Sequence, residues 1–277
     1  MKKITPKALI LLFLCAILLF SGCSKKSKTT ENAKNSEIKD TLTVGMYLSY
    51  PPFETISSQG EAEGLSVLLA KELGNYLNID IEIINIPYDH LVSSIIEGKV
   101  DVVISSLPIT EERLALVDFS DPYAKVRYSI LLDEDLIIDS LEDLDKSHYT
   151  IAVKRNSLGS SYASNRLNKA KIHEYDTDTE AAEAVVNSQA DAYIQDELTV
   201  FKYWKLYPVA THISFLMEDN AQSWGIAVSK NNPELKNKIN EFLKSFKDNG
   251  GFEELSELYL STEVDSYKAW NIPFIFD

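Results

Sequence analysis

Arginine is scarce in this chain: Arg113 is one of four, beside 23 lysines. A guanidinium offers two parallel donors that match a carboxylate, which a lysine ammonium does not reproduce. Arg113 follows an apolar, strand-like run and sits in a short helical start, Thr110-Glu-Glu-Arg. These residues alone leave two readings open: a carboxylate-binding group, or a surface arginine paired with Glu112 or Asp118. Asp196 likewise closes an apolar run, Ala190–Gln195. Its carboxylate suits either an ammonium partner or the N-cap of a helix over Glu197–Lys205. The remaining polar chemistry is bland. His90, His148, His173 and His212 are scattered and lack metal-ligand spacing. No Gly-x-Ser-x-Gly elbow occurs, and Gly250-Gly251 reads as a helix stop rather than a phosphate loop. Acid runs such as Asp133-Glu134-Asp135 read as solvated surface. No metal and no cofactor is expected.

Groups of this kind need a folded scaffold. The chain has 277 residues, 45% of them hydrophobic and 25% charged, enough apolar material for a sizeable core. The formal net charge of −15 argues against a phosphate-backbone partner, which requires clustered Lys and Arg. Nucleic acid is set aside on that ground.

The first residues are not part of the scaffold. Lys2, Lys3 and Lys7 flank an unbroken apolar run from Ala8 to Phe20. As a helix that run is about 20 Å long, too short for a hydrocarbon core of about 30 Å. A basic flank, a short apolar run and small residues read as a secretory signal over residues 1–22. Residues 23–40 are polar and lysine-rich, a flexible tether reaching on the order of 20–25 Å. Cys15 falls inside the signal, so its removal leaves Cys23 without an intrachain disulfide partner.

From Thr41 the pattern alternates. Thr41–Leu48, Ile81–Ile86 and Val100–Ser105 read as strands, with helical spacing at Leu65, Leu68, Leu69, Leu73 and Leu77 and a short amphipathic helix before Gly98. A second series follows: strands at Tyr128–Leu132, Tyr149–Lys154, Lys171–Tyr175 and Ala190–Gln195, with helices over Ser160–Ala170 and from Asp178 to Val186. Two consecutive α/β series imply two lobes, each a mainly parallel sheet flanked by helices. Ligands of such sheets sit beyond the carboxyl ends of the strands, so two facing ends would share one pocket.

The order of several motifs resembles the polar amino-acid solute-binding proteins of ABC importers. The matching stretches are Tyr50-Pro51-Pro52-Phe53-Glu54, Gly98 to Val103, Ser105 to Arg113, Val117 to Tyr123, Ala190 to Asp196 and Trp224 to Val228. The pair Ile109-Thr110-x-x-Arg113 and Asp118-Phe119-Ser120-x-Pro122-Tyr123 is the most specific part, and the likeness spans residues 41–262. Leu19-Phe20-Ser21-Gly22-Cys23 resembles a bacterial lipobox, with Phe20 where Leu, Val or Ile is usual. That implies a lipid-acylated (palmitate-bearing) Cys23 holding the exported protein to the outer face of the cell membrane.

The resemblance implies a two-lobed, type II periplasmic-binding-protein-like fold. Lobe 1 would be residues 41–128 plus 225–277, and lobe 2 residues 129–224. It implies a monomer that binds an amino acid or related solute between the lobes and delivers it to an ABC permease. The same resemblance implies that Arg113 takes the ligand carboxylate and Asp196 its ammonium, from opposite lobes. Ser106, Thr110, Ser157 and Pro108 would lie near the carboxylate, and Tyr50 would pack on the ligand side chain. Three departures stand out. Pro108 has no N–H where a Ser or Thr usually donates one. Gly64 to Leu69 lacks an aromatic and two acids, and Asn156-Ser157-Leu158 replaces a Gly-Thr-Thr-like turn. Tyr47 stands where some basic-amino-acid binders carry Asp, so the likeness gives no support to a basic ligand. No catalytic residue is expected; the alternatives on this fold are a cyclohexadienyl-dehydratase-like enzyme and a ligand sensor.

Overall fold

The computed structural model describes residues 40–277, except 156 and 216–220. The expected signal segment, Cys23 and all of the tether but Asp40 lie outside the described residues.

The chain first builds β1 (Thr41–Met46), the hairpin β2 (Thr55–Ile56) and β3 (Ala62–Glu63), α1 (Leu65–Leu77), β4 (Asp80–Asn85), α2 (Leu91–Ile96), β5 (Val102–Val103), α3 (Glu111–Leu116) and β6 (Asp118–Phe119). β7 (Ala124–Val126) leaves this unit. β8 (Tyr128–Asp133), β9 (Thr150–Lys154), α4 (Leu158–Arg166), β10 (Lys171–Tyr175), α5 (Asp178–Val186), β11 (Ala192–Asp196), α6 (Glu197–Leu206) and β12 (Thr211–Phe215) form the second. β13 (Gln222–Trp224) returns to β14 (Ala227–Val228), α7 (Pro233–Asp248) and α8 (Gly251–Trp270).

Two five-stranded sheets result, ordered β4-β1-β5-β14-β6 and β10-β9-β11-β8-β12. In the first, β1 runs parallel to β4 and β5, while β14 is antiparallel to both neighbours. In the second, β9 is parallel to β10 and β11, while β8 is antiparallel to β11 and β12. Each sheet is therefore mainly parallel with a single reversed strand, and the expected α/β, two-lobed architecture stands. The chain crosses between the sheets through the antiparallel pair β7 and β13, with Trp224 opposite Ala124.

Sequence periodicity explains these elements. Leu65, Leu69 and Leu73 recur at helical spacing and are fully buried, each contributing about 1.5–3 kcal/mol. Gly64 adopts φ +122, and a Cβ there would meet the Phe53 carbonyl oxygen, so only glycine lets α1 start against the Tyr50–Glu54 turn. Asn232 caps α7 by accepting from the Leu235 N–H, with Pro233 in the first turn. Phe53, Phe119 and Tyr123 are core residues.

Tyr267, Ile275 and Phe276 are buried in the same cluster as Phe53 and Phe252 of the first unit and Leu198 and Phe201 of α6. Phe201 meets Tyr267 and Trp270 edge-on at 6.1 and 5.5 Å. The C-terminal segment thus packs on both sides of the crossing strands.

Candidate ligand-binding cleft

The carboxyl ends of β1, β5, β9 and β11 converge on a cavity of about 660 Å³ whose walls come from both units. Tyr47, Tyr50, Glu54, Tyr88 and Ser106 face it from the first, and Lys154, Arg155, Ser157, Asp178 and Asp196 from the second.

The turn after β1 sets the first wall. The Tyr50 N–H donates to the Glu54 carbonyl at 2.8 Å, and the Phe53 and Glu54 N–H groups return to the Tyr50 carbonyl at 3.0 Å. The Tyr50 ring stacks on Phe53 at 5.3 Å and meets Trp224 edge-on at 6.3 Å. Its hydroxyl then reaches across to Asp196 and Thr199. Burial and the Asp196 charge push the Tyr50 phenol upward. The turn also carries Glu54, only 1% exposed. Its carboxyl accepts from the Ser105 and Ser106 hydroxyls, both at 3.2 Å, and from Ser66. Burial raises its pKa to about 8. Ser106 adopts φ +45 beyond β5, and its hydroxyl is committed to Glu54.

The segment Pro108–Arg113 stands one contact removed from the cavity. Pro108 bridges to Trp224 across the crossing strands. Thr110 caps α3 by accepting from the Arg113 N–H at 3.3 Å. The Arg113 guanidinium donates to the Pro108 carbonyl at 2.8 Å and to the Tyr88 hydroxyl at 3.4 Å, and lies 5.6 Å from the Tyr88 ring centroid. Asp118, one of its local alternatives, is occupied by Lys236 at 2.9 Å. Pro108 lacks an N–H to offer, and its carbonyl instead positions the arginine.

On the second unit, Asp196 takes the helix-cap role read from the sequence and also faces the cleft. One oxygen accepts the Leu198 and Thr199 N–H groups at 3.1 and 2.9 Å, capping α6, while the residue, 3% exposed, also lines the cleft. Burial raises its pKa against the opposing pull of the Thr199 bonds. Ser157 caps α4 through the Ser160 N–H at 3.1 Å; its neighbour 156 lies outside the described residues. Lys154 pairs with Asp178 at 3.0 Å, and Asp178 also accepts from Tyr193 at 2.7 Å and Gln195 at 3.2 Å.

Of the seven ligand-site residues expected, Tyr50, Ser106, Ser157 and Asp196 line the cavity. Arg113, Thr110 and Pro108 support it through Tyr88 and Trp224. Sequence reasoning missed Glu54, Lys154 and Asp178. The signal for Glu54 was an acid inside an otherwise apolar motif. Lys154 and Asp178 were legible only as the last residue of a strand and the first of a helix. Among the described residues no group of His, Cys, Asp and Glu is arranged to hold a metal ion.

The geometry is that of a two-lobed binding protein. A family model, bacterial extracellular solute-binding proteins, family 3, matches residues 42–262, and the chain belongs to that family. Among curated proteins it is similar to the ABC transporter glutamine-binding protein of Bacillus subtilis, 29% identical over 95% of this chain and 99% of that one. It is similar also to a probable histidine-binding protein of Neisseria gonorrhoeae, 26% identical over 90% and 93%. Among solved structures, an ancestral cationic amino-acid solute-binding protein, described also as a precursor of cyclohexadienyl dehydratase, is 33% identical. It matches with TM-score 0.69 over 79% of this chain and 95% of that one.

Proposed function

We propose that this chain is an exported solute-binding lipoprotein that captures a polar amino acid between its lobes and delivers it to an ABC permease. Asp196 carries the reading. It is buried, held rigid by the start of α6, and lines the same cleft as Tyr88, to which Arg113 donates. An amino acid presents an ammonium and a carboxylate a few ångströms apart, and each must be paired when removed from water. Asp196 receives the ammonium. Arg113 swings from the Pro108 carbonyl or acts through Tyr88 to receive the carboxylate. One ligand then touches both units and favours closure. The relatives above are named as binding proteins, which supports binding over dehydration. Acylated Cys23 and the tether keep the body at the membrane.

A thermal-shift screen against amino acids tests the reading. A ligand at a hundred times its Kd stabilises by about 2.7 kcal/mol if it binds only the folded state. Arg113→Ala should fold normally and lose most of that stabilisation. A screen in which no amino acid raises the Tm sinks the proposal. Membrane fractionation of Cys23→Ala tests the anchor separately; retention in the membrane fraction refutes it.

A further inference from the structure

We infer that the second unit's wall of the cleft selects a long amino acid whose far end is dipolar without net charge, an amide or a second amino-carboxylate group. The inference rests on the amino-acid reading of the cleft and names the class of ligand within it.

Beyond Asp196 the wall presents charges in alternation. Lys154, at the end of β9, pairs with Asp178 at 3.0 Å. Arg155, the next residue, pairs with Asp176 at 3.1 Å and with Glu174 at 3.2 Å. Lys154, Arg155, Asp176 and Asp178 line the same cavity. Asp178 is fixed by the Tyr193 hydroxyl at 2.7 Å and the Gln195 amide at 3.2 Å. It is the first residue of α5, where the helix N-terminus favours its charge. The Gln195 carbonyl oxygen in turn accepts the Gly159 and Asp196 N–H groups, both at 3.3 Å. This one side chain ties the charged wall to the residue assigned to the ligand ammonium.

Such a wall discriminates by sign. A distal ammonium or guanidinium that meets Asp178 is set against Lys154 and Arg155. A distal carboxylate that meets Lys154 is set against Asp176 and Asp178. Either adds an unbalanced charge beside the half-buried Lys154–Asp178 pair, which is already neutralised. A group with donor and acceptor side by side replaces water on both members of a pair and adds no charge. Hydrogen bonds to ionised partners are the stronger kind. Opposite this wall the first unit offers Tyr47 and Tyr88, edge-on at 6.0 Å, a cover suited to the methylenes between the two ends. The 660 Å³ cavity falls mid-range among pockets of about 300–1,000 Å³ that enclose ligands larger than a short amino acid.

Calorimetric titration of the full chain with the twenty amino acids and cystine decides the matter. Glutamine or cystine should bind at least about tenfold more tightly than arginine, lysine or glutamate. Glutamine against cystine distinguishes the amide from the second amino-carboxylate. A charged or short amino acid as the best ligand overturns this inference and leaves the amino-acid reading standing. No binding by any of them overturns both. Lys154→Met should raise the affinity for arginine and lysine relative to glutamine, because Asp178 loses its cation; an unchanged order in the folded variant counts against the inference. Should that variant not fold, the ranking by the unaltered chain still decides.

Discussion

The Glu197 carboxylate accepts the backbone N–H of Arg127 at 2.9 Å and its guanidinium through two nitrogens at 3.1 Å. Arg127 joins the crossing strand β7 to β8, and Glu197 follows Asp196 in sequence. The Tyr267 hydroxyl adds a fourth bond at 3.1 Å. The Glu197 side chain has no exposed surface, so burial pushes its carboxyl up while Arg127 opposes that change. Removing one member of a buried pair leaves the other charge uncompensated. Arg127→Met should cost about 3–5 kcal/mol. Tyr267→Phe, which deletes one bond to a charged group, should cost about 1.5–3 kcal/mol. Urea unfolding measures both; an Arg127→Met cost below that of Tyr267→Phe would contradict a dominant ion pair.

Glu54 predicts the pH dependence. Its pKa is raised to about 8 by burial, above an unfolded value of about 4.3. The folded state therefore holds this proton more tightly than the unfolded chain. Its stabilising contribution is complete below about pH 4.3 and is lost as pH rises toward 8. Each tenfold difference in proton affinity is worth about 1.4 kcal/mol, so the total is on the order of a few kcal/mol. Glu54→Gln stays neutral throughout and should flatten the decline of Tm between pH 5 and pH 8.5. A decline as steep as in the unaltered chain would assign it to other groups.

The sequence made the scaffold legible where one period dominated. The leucines of α1 admit one face to bury and the continuous apolar runs of β5 and β11 are buried on both, and their elements formed within a few residues of expectation. The cleft was legible where a motif residue ends a strand, as with Asp196, or follows one, as with Ser106. It was not legible where position depends on distant chain. Asp178 reads locally as a helix start, and only the parallel pairing of β9 with β10 and β11 brings it to Lys154. Arg113 shows the converse. Its local pattern announces a cation beside acids, yet the chain returns Pro108 to Trp224 and turns the guanidinium onto a carbonyl and Tyr88.

Gly159 sets how closely α4 approaches the cleft. A Cβ at this position would collide with the Ile194 carbonyl oxygen and lie 3.2 Å from the Gln195 Cα. The obstacle is backbone of the central strand β11, which does not yield as a side-chain tip does. Gly159→Ala should therefore destabilise by about 1–3 kcal/mol. It should also weaken amino-acid binding, because lifting α4 breaks the bond from the Gly159 N–H to Gln195. Thermal unfolding and calorimetry on one preparation test both; unchanged stability would mean that α4 moves without resistance.

Asp196 caps α6 and faces the cleft, and two substitutions separate these tasks. Asparagine retains an oxygen that accepts the Leu198 and Thr199 N–H groups, so Asp196→Asn should fold with nearly unaltered stability. It no longer supplies a negative charge to an ammonium, and its loss of affinity should be on the order of 2–5 kcal/mol. Asp196→Ala loses both, adding about 0.5–2 kcal/mol of destabilisation from the missing cap. Ligands without an ammonium should bind Asp196→Asn and the unaltered chain alike. If Asp196→Asn instead loses stability and keeps its affinity, Asp196 serves the helix alone, and the ammonium must find another partner in the cleft.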